Sequence, residues 1–571
     1  MGEEKKVING GDVLIKTFLN EGIKYLFGIP GGQFLTMYDA IYRWGKEQGI
    51  ETVLFRHEQA AAHAADAYTR VTNKPGICFG TVGPGAMNLV PGVGTAWRDN
   101  IPIIALVPQV GSEFEDSYTL QGNLDQITMF KPITKYQKTV RKIKDIPDAV
   151  QKVFREINGG SPKPVLLEIF EDALVGEIEE NELEILPPEK YRPMSKPAIE
   201  SEMIDKALDL LITAKKPLII SGGGVSRSEG WSELQELVEY LKIPVITSLM
   251  GTGTISKRSE CFMGSSIGCS SALQITGDSD VILALGTKFT YSLGHGQPPF
   301  FKNDQTLIQV DIDPNIIGRS KPVTLGIVGD TRQFLKQTLE KVKQMDKVQN
   351  REWLNECKNI RENYIKKMNK KASKDKIPIL PERLVGDVFK FMEEDAIFIG
   401  DGGDISCYVV EQLNMHKERK PLSYLQPVGM GMLGVAVPYC IGAKLGKPDK
   451  QVIAIAGDGS FMINIQDLET AVRLKLNNLI IVIANNNAWG MIKSGQKLFM
   501  GKRYLDVDLP DFDYARCAEG FGCYGEVVTD PNEIIPALER AKSSGKPAVL
   551  DVKIKFDTPD STKLMGSMGI L

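Results

Sequence analysis

Residues 452–491 read VIAIAGDGSFMINIQDLETAVRLKLNNLIIVIANNNAWGM, and this stretch decides the fold class. It holds two apolar runs, at 452–456 and 479–484, separated by a segment of helical length, and each run ends in a polar cluster. Continuous apolar runs that alternate with helices are typical of buried parallel strands in α/β sheets. The clusters at 457–460 and 485–487 are therefore predicted at the carboxyl ends of neighbouring strands, where open α/β sheets bind ligands.

The same alternation extends outward along the chain. Further apolar runs include PGICFGTVG, IPIIALVP, PVLLEIF, KPLIISGGG, DVILALG, TLIQVDIDP, DAIFIGD and PAVLDVKI. Two breaks interrupt them, a Pro-rich stretch at 183–200 and a charged segment at 341–384. We predict an α/β protein of three domains, each a mostly parallel sheet flanked by helices, with boundaries at 1–182, 200–345 and 378–571.

Composition narrows the functional classes. The 571 residues carry 68 basic and 72 acidic side chains, a net charge of −4, which argues against nucleic acid as a partner. No apolar run approaches the ~18 residues of a membrane span, and the charged start of the chain does not resemble a secretion signal. The 8 Cys residues form no CxxC pair, a pattern typical of reduced thiols. We expect a cytoplasmic protein without a membrane partner.

The polar clusters suit a hard divalent cation. Mg²⁺ prefers oxygen ligands and usually keeps phosphate oxygens in its shell. Asp458 offers a carboxylate, Asn485 an amide oxygen, and Asn487 a backbone carbonyl. Gly459 permits close approach of a phosphate, and Ser460 begins a helix whose amides attract anions. A tight turn with an Asn-rich loop would explain either cluster alone, but Asn485 follows Asp458 by 27 residues, at the next strand end.

That spacing resembles the motif of enzymes that depend on thiamin diphosphate. The stretches FGIPGGQF (27–34), FRHEQAAAHAADAYTR (55–70) and GTVGPGAMNLVPGVGTAWRDNIPIIAL (80–106) are similar to the pyrimidine-binding domain of that superfamily. From about 10 to 555, the chain resembles its acetolactate synthase-like group. The resemblance implies pyrimidine-binding, central and diphosphate-binding domains, with thiamin diphosphate and Mg²⁺ as cofactors. It also implies a homodimer or homotetramer with the active site at the subunit interface.

The resemblance assigns catalytic roles to four residues. Glu58 matches the activating glutamate, whose carboxylic acid bonds the pyrimidine ring and helps to remove the proton from the reactive carbon. Taken alone, Glu58 is also explained as a helix N-terminal carboxylate favoured by the helix dipole. Gly431 matches the carbonyl beneath the cofactor and Leu433 the apolar wedge, which ordinary core packing would also explain. Gln121 matches a residue that reaches the site across the dimer, or is a polar loop residue.

Two further groups of residues are implied to bind cofactors. Around the diphosphate these are Asp401, Gly402, Gly403, Met432, Gly457, Gly459, Ser460, Trp489, Gly490 and Met491. In the central domain they are Gly222, Gly223, Lys288 and Asp311, where the resemblance implies ADP or FAD and ordinary strand-end turns are the alternative.

The reaction depends on the branch of the group. YSLGHGQPPFF (291–301) and LQGNLDQ (120–126) resemble 2-hydroxyacyl-CoA lyases, whereas FKPITKYQKTV (130–140) and NNNAWGM (485–491) suit acetolactate synthase at least as well. We expect cleavage or formation of a 2-hydroxyacyl-CoA, with an aldehyde or ketone and formyl-CoA as the other reactants. Alternatives are an acetolactate synthase acting on 2-keto acids, an oxalyl-CoA decarboxylase, or an inactive homologue. The C-terminal residues 556–571 are expected to form a lid or to fray.

Overall fold

The computed structural model describes residues 6–265, 270–345, 351–413, 415 and 418–567. Across these residues the chain forms three parallel sheets of six strands each and one antiparallel pair. Helices connect most of the successive strands, so the predicted α/β class is confirmed. The final residues of the expected lid, 568–571, lie outside the described residues.

The first sheet is built by residues 25–170 and has the strand order β3-β2-β4-β5-β7-β6. Its core consists of the aliphatic and aromatic side chains of its strands and helices. A short antiparallel pair, β1 and β8, flanks it. The strands are β1 Val7–Asn9, β2 Tyr25–Gly28, β3 Glu51–Leu54, β4 Gly76–Phe79, β5 Ile103–Gln109, β6 Tyr136–Val140, β7 Val165–Phe170 and β8 Glu177–Glu179. The helices are α1 Gly10–Asn20, α2 Leu35–Ala40, α3 Glu58–Thr72, α4 Pro84–Asp99, α5 Gln126–Phe130, α6 Ile146–Asn158 and α7 Glu171–Val175.

The central sheet has the order β11-β10-β9-β12-β13-β14, which is the order of doubly wound dinucleotide-binding sheets. Its order reverses between β9 and β12, so a crevice is expected outside those two strand ends. The strands are β9 Pro217–Ser221, β10 Val245–Thr247, β11 Phe262–Ser265, β12 Val281–Leu285, β13 Thr306–Asp311 and β14 Leu325–Val328. The helices are α8 Ser201–Thr213, α9 Gly223–Arg227, α10 Trp231–Leu241, α11 Ser270–Asp278 and α12 Thr331–Val342.

The third sheet has the order β16-β15-β17-β18-β20-β19, so it repeats the strand order of the first sheet. A charged helix of 22 residues, α13, precedes it. The strands are β15 Ile397–Asp401, β16 Tyr424–Leu425, β17 Val452–Gly457, β18 Leu479–Asn485, β19 Tyr524–Val528 and β20 Ala548–Lys553. The helices are α13 Arg351–Ala372, α14 Pro381–Phe391, α15 Asp404–Gln412, α16 Ala436–Gly446, α17 Asp458–Phe461, α18 Leu468–Arg473, α19 Gly490–Phe499, α20 Tyr514–Gly520, α21 Ile534–Ser543 and α22 Asp560–Ser567.

The chain divides into two compact units. The first contains residues 1–195, 437–448 and 469–473, and the second contains the remainder, with the central and third sheets. The predicted domain boundaries stay predictions. No helix in the described part of the chain is both long enough and apolar enough to cross a bilayer.

The C-terminal segment is helical, although its sequence shows no strong period. Side-chain contacts explain this: Lys371 of α13 pairs with Asp560 at 2.8 Å, and Glu411 of α15 accepts two hydrogen bonds from Ser561. Tertiary contacts therefore stabilise α22, and its function as a lid stays a prediction.

Candidate active site

Strand register aligns the polar ends of three neighbouring strands in the third sheet. Asp401 of β15 pairs with Ala456 of β17, and Gly457 pairs with Ala484 of β18. Asp458 and Asn485, one residue further along, therefore lie at the same level of the sheet edge. Since β15 and β17 are the first and third strands of this sheet in chain order, this edge is also where the strand order reverses.

The predicted metal ligands lie together at this edge. The Asp458 carboxylate is buried, and it accepts hydrogen bonds from the backbone amides of Gly459 at 3.0 Å and Ala488 at 3.2 Å. The Asn485 side-chain oxygen accepts from the amide of Asn487 at 3.2 Å. Asn487 has a left-handed backbone (φ 50°), and its carbonyl accepts from Leu509 at 2.8 Å.

A buried carboxylate on the next strand orients Asn485. The Asn485 amide nitrogen donates to Asp551 of β20 at 2.8 Å, and Asp551 also pairs with Lys553 at 3.1 Å. With its nitrogen held by Asp551, Asn485 turns its oxygen away from β20. An amide oxygen fixed in this way is a suitable ligand for a hard cation.

The donor set fits a magnesium ion that also binds a diphosphate. The side-chain oxygens of Asn486 and Asn487 are buried and accept no hydrogen bond from any described residue, which is costly unless a ligand uses them. Burial raises the pKa of Asp458 to about 6, and a bound cation would favour the charged form. All these donors are oxygens, as Mg²⁺ prefers.

Glycine allows the loops at this edge to pack closely. A Cβ atom on Gly459 would lie 2.8 Å from the ring of Trp489, and one on Gly403 would lie 2.6 Å from the side chain of Met491. The start of α19 also lies near Asp404, whose carboxylate is 3.3 Å from the position of a Cβ on Gly490. The predicted cofactor-binding residues of these three segments are therefore brought together.

The segment 431–433 follows β16 and leads into α16. Gly431 is exposed with φ 62°, and no atom lies within 4 Å of the position of its missing Cβ. Met432 and Leu433 are half-buried, which leaves part of each side chain accessible. The structure places this segment near the strand ends through Gly434, whose amide bonds Ser460 at 2.8 Å.

Asp401 and Gly402 have different structural roles at the end of β15. The Asp401 carboxylate is buried and directed at the backbone amides of Gly434 and Ala436, at 3.2 and 2.8 Å. Gly402 adopts φ 126°, which only glycine adopts readily, and so turns the chain from β15 into α15. Cofactor contact by either residue stays a prediction.

Glu58 is the first residue of α3 in the first compact unit. Its side chain is 7% exposed, and its carboxylate accepts a hydrogen bond from the Asn88 amide of α4 at 3.0 Å. His57 caps the helix by accepting from the amide of Gln59 at 3.2 Å. The Ala-rich sequence of α3 allows α4 to pack closely, since a Cβ on Gly92 would meet Ala62 at 2.4 Å.

Gln121 lies in an exposed loop that follows β5. The loop is ordered by Asn123, whose amide donates to the carbonyls of Phe114 and Ser117 at 2.7 and 2.6 Å. The carbonyl of Gln121 lies only 2.4 Å from where a Cβ on Gly83 would be. The side chain of Gln121 is exposed, and its predicted catalytic role is untested.

The predicted nucleotide residues lie at one edge of the central sheet, after β9, β12 and β13. A Cβ atom on Gly222 would lie 2.2 Å from the backbone oxygen of Gly286. Close packing is therefore enough to explain a glycine at position 222. Gly223 begins α9. Burial raises the pKa of Asp311 to about 6, and nearby Lys288 opposes this shift. Binding of ADP or FAD by these residues stays a prediction.

Three polar residues near the candidate sites were missed by the sequence analysis. Asp551 and Asn88 contact Asn485 and Glu58, and Asn464 donates to the Gly434 carbonyl at 2.7 Å. The sequence held one signal, since Asp551 interrupts the otherwise apolar run PAVLDVKI. Asn88 lies within helix α4, and Asn464 lies at a kink with a non-helical backbone (φ −128°), and a polar residue is ordinary at both kinds of position.

Comparison with protein families agrees with this geometry. Residues 8–129 match the family described as thiamine pyrophosphate enzyme, N-terminal TPP binding domain. Residues 204–338 match the central domain of the same enzymes, and residues 404–552 match their C-terminal TPP binding domain. The protein is therefore a thiamin diphosphate-dependent enzyme of the lyase and carboligase kind.

Curated relatives indicate to which superfamily of thiamin diphosphate enzymes the chain belongs. The chain is 35% identical to the probable acetolactate synthase large subunit of Methanococcus aeolicus, over 96% of this chain and 92% of the relative. It is 33% identical to the protein of the same name from Methanocaldococcus jannaschii (96% and 92%). It is 34% identical to the acetolactate synthase large subunit of Corynebacterium glutamicum (96% and 87%). The chain belongs to the acetolactate synthase-like superfamily of thiamin diphosphate enzymes.

The superfamily predicted from the motifs is thus confirmed. The expected branch is not supported in the same way, because these relatives are named acetolactate synthase large subunit and not 2-hydroxyacyl-CoA lyase.

Proposed function

We propose that this chain is an acetolactate synthase-type carboligase acting on 2-keto acids. The observation that carries the proposal is the 35% identity, over 96% of the chain, to a relative named probable acetolactate synthase large subunit. The alternative stated from the sequence therefore replaces 2-hydroxyacyl-CoA chemistry as the main interpretation.

The proposed reaction starts from two molecules of pyruvate. The bond between the carboxylate and the keto carbon of one molecule breaks and releases CO₂. The remaining two-carbon unit forms a carbon–carbon bond with the keto carbon of the second molecule, and one proton is taken up. The product is a 2-hydroxy-3-keto acid, and no external oxidant or reductant is needed.

The residues of the third sheet would bind the diphosphate end of the cofactor. Asp458, Asn485 and Asn487 would hold Mg²⁺ by their oxygens, and the amides at the start of α17 would bind phosphate oxygens. Thiamin diphosphate, when bound, supplies a nucleophilic carbon and an electron sink. The rigid packing around Gly459 and Trp489 would fix the diphosphate and exclude water from one side.

Glu58 would hold a proton against the ring nitrogen of the pyrimidine. Its burial disfavours competing hydrogen bonds from water, and Asn88 occupies one carboxylate oxygen, Oε2. The other oxygen, Oε1, would then be available to the ring. Gly431 would accept a hydrogen bond at its carbonyl, and Leu433 would contact the cofactor with its exposed part.

A direct assay tests the proposal. Purified protein with thiamin diphosphate and Mg²⁺ is incubated with pyruvate, and released CO₂ and acetolactate are measured, the latter as acetoin after acid treatment. We expect both products in equal amounts, with a Glu58→Gln variant as the inactive control. Release of CO₂ without acetolactate, or no turnover of pyruvate, would contradict the proposal.

A second candidate, 2-hydroxyacyl-CoA lyase, is favoured by one structural observation. Tyr291 begins the segment YSLGHGQPPFF, and its hydroxyl donates a hydrogen bond to the carbonyl of Val428 at 3.0 Å. Val428 precedes Gly431 by three residues. A segment that resembles the acyl-CoA branch thus contacts the loop proposed to lie beneath the cofactor. Formation of an aldehyde and formyl-CoA from a 2-hydroxyacyl-CoA would select this candidate.

The proposal also includes the oligomeric state, the location in the cell and the nucleotide of the central domain. We infer a homodimer or homotetramer in the cytoplasm, and FAD or ADP in the central domain. Absorbance of the purified protein distinguishes the nucleotides, because FAD is yellow, whereas ADP is colourless and is identified by chromatography after denaturation.

A further inference from the structure

The carboxylate of Asp401 is the centre of a buried hydrogen-bond network. Asp401 ends β15 and is 1% exposed. One oxygen accepts from the amide of Gly434 at 3.2 Å and from the Ser460 hydroxyl, and the other accepts from the amide of Ala436 at 2.8 Å. Hydrogen bonds to a charged acceptor are stronger than neutral ones, so this carboxylate fixes the backbone that it contacts.

Ser460 and Asn464 complete the network around Gly434. The Ser460 hydroxyl oxygen also accepts from the amide of Gly434 at 2.8 Å, and Asn464 donates to the carbonyl of Gly434 at 2.7 Å. Gly434 has φ 81°, and a Cβ there would lie 2.6 Å from Ile463. Both polar groups of this one residue are therefore held by side chains, in a conformation that strongly favours glycine. We call Asp401, Ser460 and Asn464 the clamp.

The residues just before Gly434 are more accessible than Gly434 itself, and the amide of Gly431 donates to the carbonyl of Pro427 at 2.9 Å. Met430 is 48% exposed, and no atom lies within 4 Å of a Cβ built on Gly431. The direction of Leu433 is thus determined mainly by the peptide that follows it, which the clamp holds. Ser460 lies only two residues beyond Asp458, so the clamp joins the proposed metal site to the segment 431–434.

We propose that Asp401 and Ser460 are positioning residues that hold Leu433 and the Gly431 carbonyl in the orientation that activates thiamin diphosphate. The inference rests on the proposed cofactor site. It gives Asp401 a role through the loop, in place of the direct cofactor contact expected from the sequence. Burial raises the pKa of Asp401 to about 6, so the carboxylate is mostly charged at neutral pH and above.

The first measurement uses the protein without cofactor. In Asp401→Asn, one oxygen becomes an amide donor that faces other donors, whereas Ser460→Ala only removes a hydroxyl and is the milder variant. We expect the amides of Gly434 and Ala436 to exchange with deuterium about tenfold faster in both variants, as measured by mass spectrometry. Unchanged exchange at both amides would overturn the clamp.

A matched control is Glu411→Gln, in helix α15 of the same compact unit. Glu411 is also buried, and it accepts from the backbone amide and the hydroxyl of one residue, Ser561, at 2.9 and 2.8 Å. It does not contact the clamp, so the Gly434 and Ala436 amides should exchange at the wild-type rate. Faster exchange there in the control as well would show a general loosening and would overturn the specific role.

The second measurement separates positioning from plain structural support. With thiamin diphosphate and Mg²⁺ bound, we expect the C2 proton of the cofactor to exchange about tenfold more slowly in Ser460→Ala and Asp401→Asn, with cofactor affinity within about threefold of wild type. Wild-type C2 exchange would overturn the proposal. Loss of cofactor binding in Asp401→Asn would instead show direct contact. Neither readout requires a substrate, so failure of the pyruvate assay leaves this test intact.

Discussion

The first and third sheets share one strand order but differ in what their strand ends carry. In the third sheet, the ends of β15, β17 and β18 carry Asp401, Asp458 and Asn485, and each is buried and hydrogen-bonded within the same compact unit. In the first sheet, one acidic residue, Glu58, lies at the start of a helix and bonds Asn88.

The loops at these two sheet edges also differ, in how much of their apolar side chains is exposed. The loop with Gln121 exposes large apolar side chains, among them Tyr118 and Leu120, whereas Trp489 in the third sheet packs against Gly459. One strand order thus supports a polar cradle of Asp401, Asp458 and Asn485 in one sheet, whereas the acid proposed to contact the cofactor in the other, Glu58, begins a helix. The proposed chemistry therefore depends on the residues at the strand ends and not on the topology of the sheets.

The largest effect is expected from the cradle. Asp458→Ala removes the only carboxylate of the proposed magnesium site, so Mg²⁺-dependent binding of thiamin diphosphate should weaken by more than about 100-fold in calorimetry. Asp508→Ala is the control, because the side chain of Asp508 is 70% exposed and pairs with Lys493. An unchanged affinity for thiamin diphosphate in Asp458→Ala would contradict the proposed metal site and favour the interpretation as an inactive homologue.

The acid of the first sheet should affect activation and not binding. Glu58→Gln keeps the shape of the side chain but cannot hold the proton, so exchange of the cofactor C2 proton should slow by about 100-fold or more in NMR measurements. Cofactor affinity should stay within about threefold, because the magnesium site is intact. Glu51→Gln, at an exposed position of β3, is the control. A wild-type exchange rate in Glu58→Gln would refute the role of Glu58.

A smaller effect is expected from the partner of Glu58. Asn88→Ala removes the hydrogen bond to the carboxylate and frees its orientation, so the C2 proton should exchange about tenfold more slowly. Met87→Ala, at a neighbouring position that is 51% exposed, should leave the rate unchanged. If both variants behave alike, the contact with Asn88 does not orient Glu58, and the first sheet holds its acid by burial alone.

The last effect concerns stability rather than activity. Burial raises the pKa of Glu411 to about 7 from 4.5, opposed by hydrogen bonds from Ser561; Asp560 adds to the shift and Lys371 reduces it. A raised pKa stabilises the fold below about pH 4.5, and that contribution of roughly 3 kcal/mol is lost as pH rises through about 7.

Glu411→Gln has no such titration and keeps an oxygen for Ser561. We therefore expect equal melting temperatures near pH 4.5 and a variant that becomes more stable than wild type by pH 8. Melting curves that differ by the same amount at both pH values would show that Glu411 does not titrate in this range.

The sequence by its local patterns predicted the α/β class and the three parallel sheets, and it supplied the residues proposed to bind the metal. These follow from local patterns: an apolar run predicts a buried strand, and Asp458 and Asn485 each follow such a run directly. The superfamily could be predicted as well, because the motifs around Glu58 and Asp458 are short and continuous in sequence.

Which polar residues contact one another depends on the tertiary fold. Asp401 contacts Gly434, Asn485 contacts Asp551, and Glu58 contacts Asn88, and the residue numbers of these partners differ by 33, 66 and 30. Such contacts depend on strand order and register, which place distant segments side by side and are not written in any local pattern. Burial then makes each contact strong, because a polar group removed from water must find its partner within the protein.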